Sequence, residues 1–147
     1  MLNHHLNQFI VMVIVGMMFN PMNVLAYKFN HLYLSLTLFY GGLLMASNMI
    51  WSHEIVHYLS HNKLDSNIFI FGILLSLSIT FLLLRTQYNV DDNQWLKRMI
   101  SHHSTALTTS HKIIKKTSNP KVKKLAKEII DTQEREIELM KSMLYNK

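Results

Sequence analysis

Met99, His102 and His103 stand at i, i+3 and i+4, a spacing that sets a thioether over two imidazoles on adjoining faces of one helix. Thr117-Ser118-Asn119-Pro120 reads as a turn, so the stretch that follows folds back antiparallel. Pairing about that turn brings Gln133, Glu136 and Met140 opposite the histidine pair. Thioether sulfur is a ligand of soft Cu(I), and imidazole suits copper, zinc and iron. The spacing therefore predicts a metal-binding level in a helical hairpin. A blander reading fits the same residues: methionine as adaptable core filler and His103 as a hydrogen-bonded core histidine.

A second cluster, Ser52-His53-Glu54-Ile55-Val56-His57, contains a literal H-E-x-x-H. On a helix that string can hold zinc on two imidazoles with the glutamate as general base. His61 would supply the third ligand that zinc hydrolysis needs. The same four-residue step runs back through Met49 and Met45, and a Met-Met-His-His-His stripe suits a soft-metal track better than a protease. An interfacial helix end rich in amphipathic histidine accounts for it equally well.

Other chemistries are excluded by what is missing. The 147 residues contain no cysteine, which rules out thiolate metal sites, thiol redox chemistry and cysteine nucleophiles. There is no phosphate-binding glycine loop, and the hairpin has no Glu-x-x-His of the kind a di-iron bundle requires. Ser101, Ser104 and Ser110 read as unremarkable residues of a polar helix, so no enzyme is expected. The lysines from Lys112 to Lys127 read as a solvated face, with no nucleic-acid partner expected.

The elements that must carry these residues fall into two parts. Residues 1–84 contain Lys28 and Lys63 against Glu54 and Asp65, so the whole net charge of +6 lies in residues 85–147. Three apolar runs, Phe9–Tyr27, Leu32–Trp51 and Ile68–Leu84, occupy the first part. About 20 helical residues span a ~30 Å hydrocarbon layer, and the three runs predict transmembrane helices at about 9–27, 32–59 and 68–86. Pro21 is expected to bend the first, which is read as retained and not as a cleaved signal. In the second part, Asp91-Asp92-Asn93 offers N-cap residues. Leu96, Met99, Ile100, Ala106, Leu107, Ile113 and Ile114 form one apolar stripe; Val122, Leu125, Ile129, Ile137, Met140 and Leu144 form the other. So short a hairpin cannot close a core alone, and packing on a second copy or on the membrane part is expected.

The stretch Arg85-Thr86-Gln87, Asp91-Asp92 and Trp95 through Met99-Ile100-Ser101-His102-His103 to Ala106 resembles the opening helix of the domain of unknown function 305 family. Leu125–Ile130 followed by Gln133-x-x-Glu136-Ile137-x-x-Met140 resembles its closing helix. The resemblance covers residues 85–147. Membrane-anchored members have three N-terminal helices with a Met-rich second helix ending in Glu, as in Met45, Met49 and Glu54. It implies a ferritin-like helical fold and, for some members, copper binding through Met and His. The residues carried over are Met99, His102, His103, Gln133, Glu136 and Met140. Where the family often has Met after the histidine pair, this chain has Thr108-Thr109-Ser110-His111, so either His111 replaces that thioether or the site is weaker.

The expected protein is thus all-α, with three transmembrane helices before an antiparallel hairpin, binding copper or a similar metal for buffering or hand-over. Its expected partners are the lipid bilayer, a metal ion and further copies of itself. Positive-inside counting favours a cytoplasmic hairpin, whereas the family resemblance places it outside the cytoplasm, and the latter is preferred. Two alternatives remain. Met45-x3-Met49 resembles the motif of trimeric copper-uptake channels, although Gly72-x3-Ser76 stands where those have Gly-x3-Gly, and this suggests a metal permease. In a purely structural assembly protein, Met and His would merely pack.

Overall fold

The computed structural model describes residues 2–145. They are mostly helical, with no strand among them, and they form two compact units. The first unit holds residues 1–19 and 36–90; the second holds residues 20–35 and 91–147. The sixteen residues between the first and second long helices therefore belong with the hairpin, although in chain order they lie inside the apolar part.

In the first unit, α1 (Leu2–Met18), α3 (Leu36–His61) and α4 (Ser66–Ser78) pack with α3 against both others. A π-helical stretch, Ile79–Leu84, continues α4, and Asp65 caps its start by accepting from Asn67 N and Ile68 N. Small residues set the crossings. A Cβ on Gly42 would stand 2.7 Å from the Val13 carbonyl oxygen, and one on Gly72 would stand 2.9 Å from Trp51 N. Backbones can approach that closely only where a side chain is missing. The Ser76 hydroxyl lies 3.0 Å from Ser47 Oγ and 2.9 Å from the Gly72 carbonyl, so both buried hydroxyls are satisfied within the helices. Tyr40 donates to the Tyr88 carbonyl at 2.7 Å, tying the start of α3 to the turn after the π stretch.

Two helices, Leu6–Val24 and Ser66–Leu84, are long and apolar enough to cross a membrane. Three were expected, and the middle one falls short. At 26 residues α3 is long enough, but Asn48, Ser52, His53, Glu54, His57 and His61 make it too polar. Nor does Pro21 bend one continuous helix. Instead α1 stops, and Asn20 caps a short new helix, α2 (Pro21–Val24), through Met22 N and Asn23 N, with Pro21 in its first position.

The second unit is built on α5 (Asp92–Lys116) and α6 (Pro120–Tyr145). Asp91 caps α5 by accepting from Gln94 N at 2.8 Å, and Asn119 accepts from Lys121 N at 2.9 Å to start α6. Their seam is Leu96, Ile100, Leu107, Ile130, Ile137 and Met140, flanked by Tyr33, Met99, Ile114 and Leu144. Each fully buried aliphatic side chain there contributes about 1.5–3 kcal/mol. Ile113, Val122 and Leu125, expected on the seam, are exposed; Ala126 and Ile130 occupy the inward face of α6 instead.

Candidate metal-binding site on the hairpin

His103 is held at both ring nitrogens. Nδ1 lies 2.8 Å from the Met99 carbonyl one turn back, and Nε2 lies 2.8 Å from Glu136 Oε2 on the return helix. A carbonyl oxygen only accepts, so Nδ1 is the donor in that bond, and Nε2 is the nitrogen that faces the carboxylate. The ring is half-buried and Glu136 is exposed, so the pair links the seam to the surface. His102 stands exposed beside it, its ring edge-on to that of His103 with centroids 5.9 Å apart.

The structure thus brings His103 and Glu136 together, as the hairpin pairing predicts, while His102 faces solvent next to His103 in sequence. It treats the other expected ligands differently. Met140 is buried in the apolar seam, and Met99 packs against the same cluster. His111 lies eight residues beyond His103, about 12 Å along the helix axis. It is stacked on Tyr27 with ring centroids 4.9 Å apart, so it does not take the place of the missing thioether. Among the described residues, no group of three or more His, Asp or Glu side chains is arranged to hold a metal ion as it stands.

The H-E-x-x-H string closes a turn. Glu54 is buried, and its Oε2 accepts from Asp65 N at 3.1 Å, anchoring the residue that caps α4. That oxygen of the carboxylate is engaged in holding the turn. His57 Nδ1 lies 2.8 Å from the Lys63 carbonyl across the same turn. The rings of His53, His57 and His61 form a ladder, 6.5 Å and then 4.8 Å between centroids. Met45 does not extend it as an open track: its Sδ lies 3.0 Å from where a Cβ on Gly16 would stand, in the α1–α3 crossing.

One polar cluster runs against expectation. Ser101, Ser104 and Ser110, expected on a polar surface, are buried. Ser104 Oγ accepts from Tyr27 N at 2.7 Å and lies 2.9 Å from His31 Nδ1, while Ser101 donates to the His31 carbonyl at 2.9 Å. Thr105 donates to the Met22 carbonyl at 3.2 Å. Residues 20–35 are thereby laced along one face of α5. Burial, reinforced by Lys141 and Lys28, pushes the His31 imidazole down to about 4. Burial and the hydrogen bond to Tyr145 push the Tyr33 hydroxyl up to about 12. The regular recurrence of small hydroxyl residues on α5 is the signal in the sequence, since only small side chains let another backbone come so close.

A helical apolar unit joined to a long two-helix hairpin with a histidine–carboxylate pair defines the class of protein. Residues 83–144 match the family model described as Domain of unknown function (DUF305). The mimivirus protein named Uncharacterized protein L153, from Acanthamoeba polyphaga mimivirus, is 38% identical over 125 residues, covering 85% of this chain and 81% of the viral protein. The chain belongs to this family. No solved structure matches it.

Proposed function

We propose that the chain is a multi-pass membrane protein whose hairpin binds copper or a similar metal ion at His102, His103 and Glu136, for buffering or hand-over. The observation that carries this reading is the arrangement of His103. Ligating histidines usually donate their second ring N–H to a carbonyl or carboxylate, which fixes the tautomer and orients the ring. The Met99 carbonyl does this for Nδ1, leaving Nε2 aimed at a carboxylate oxygen with a second imidazole alongside. His103 Nε2 and the Glu136 carboxylate would hold the ion, with His102 as the neighbouring imidazole.

Three crossings remain our reading of the first unit. As the central helix, α3 packs against both α1 and α4, and its Ser47 meets Ser76 of α4 and not lipid. The exposed faces of the outer helices, Ile10 and Ile14 on α1 and Phe71, Leu74 and Phe81 on α4 and its π-helical continuation, are apolar as a lipid-facing surface must be. The hairpin then lies outside the cytoplasm, following the family resemblance. Copper titration of the full chain in detergent tests the site. The double variant His102→Ala/His103→Ala loses the hairpin copper, and equal binding by both proteins would end the assignment.

A second reading has its own observation: Met99 and Met140 pack in the apolar seam, as they would in a purely structural hairpin. It expects the melting temperature and oligomer size to be the same with copper added or chelated. The metal-binding reading expects a higher melting temperature with copper.

A further inference from the structure

We infer that His57 and His61 form a second metal site, a two-imidazole chelate for a divalent transition ion such as Cu(II) or Zn(II), at the C-terminal end of α3. The two residues are one turn apart on one helix face, with ring centroids 4.8 Å apart and planes within 28° of each other. The Lys63 carbonyl accepts the Nδ1–H of His57 at 2.8 Å, which leaves Nε2 as the nitrogen open to a ligand. The turn that makes this possible is firmly built. Asn62 adopts φ 52° to end the helix, and Glu54 holds Asp65 N from beneath.

His61 lies in the last helical turn and is exposed; among the described residues its ring nitrogens have no hydrogen-bond partner. The unpaired carbonyls at that helix end favour a bound cation. Glu54 is committed to the turn and His53 sits one step further along the ladder, at 6.5 Å from His57. The chelate therefore consists of two protein nitrogens, with water completing the coordination sphere. This site is independent of the hairpin site, because it uses other residues.

The test uses the full chain in detergent, with His102→Ala/His103→Ala as background so that copper on the hairpin cannot be counted. One equivalent of Cu(II) is added, and pulsed electron paramagnetic resonance counts the coordinated imidazoles. Two are expected in the background protein, one after His61→Gln or His57→Gln, and two after His53→Gln. His61 carries no structural hydrogen bond, so its variant keeps the fold, which circular dichroism checks. A background protein with no imidazole-bound Cu(II), or a His61→Gln variant that still shows two, overturns the site. Failure of the hairpin reading shows separately, as an undiminished copper capacity in the His102→Ala/His103→Ala protein.

Discussion

At the scale of single residues, the two best-anchored histidines of the second unit sit in opposite surroundings. His103 has an acceptor against each ring nitrogen, whereas His31 is 2% exposed and its Nε2 has no partner among the described residues. Protonating His31 would bury a charge near Lys141 and Lys28. Its folded value of about 4 lies below the 6.5 of the free side chain, so between these pH values the unfolded chain binds the extra proton. Stability contributed by neutral His31 is thus complete above pH 6.5, falls as the pH drops toward 4, and is flat below. At ~1.4 kcal/mol per unit the loss is at most about 3–4 kcal/mol. Denaturant unfolding of the chain at about pH 4.5 and pH 7 measures it, and His31→Asn removes that part of the pH dependence. His103 and Glu136 were legible in the sequence because helical spacing and a turn position suffice to pair them. His31 was not, because it sits in an irregular segment whose only mark is the row of serines it lies on.

Among the elements, helix approach in the first unit is decided by glycines. Gly42→Ala would press its methyl group into the Val13 carbonyl at 2.7 Å and Met17 Cγ at 2.9 Å, and overpacking of this kind costs about 1–3 kcal/mol. Its neighbour Gly41 has nothing within 4 Å of where a Cβ would stand, so Gly41→Ala should be neutral or stabilise by about 0.5–1 kcal/mol through higher helix propensity. Thermal unfolding of the two variants in detergent separates them; equal effects would contradict the close crossing. The positions of the long helices were readable from apolar runs and cap residues such as Asp91. What periodicity could not show was where α1 stops. The run Phe9–Tyr27 is apolar enough to continue, but Asn20 accepts the free N–H groups of a new helix and opens the segment that belongs with the hairpin.

For the molecule as a whole, the apolar surface left over is the informative quantity. One face of α5 is covered by residues 20–35, yet Leu125, Leu139 and Met143 of α6 and Trp95 and Ile113 of α5 stay exposed. We expect these residues to bury against a second copy, giving a homo-oligomer. Replacing Leu125 and Leu139 by Glu should then reduce the particle mass measured by light scattering in detergent to that of a single chain. An unchanged mass would place the contact elsewhere. The two-part organisation itself was legible in the charge distribution. The exchange of residues 20–35 between the parts was not, because it depends on hydrogen bonds such as Tyr27 to Ser104 that join residues distant in sequence.

The proposed function stands on a metal ion held between His103 Nε2 and Glu136. Nitrogen-15 NMR of the histidine-labelled full chain, with Cu(I) added anaerobically, observes that position directly. The His103 Nε2 resonance is expected to shift on copper addition, while Nδ1 keeps the proton it donates to Met99. A His103 spectrum that stays the same with copper in excess would show that no metal enters there.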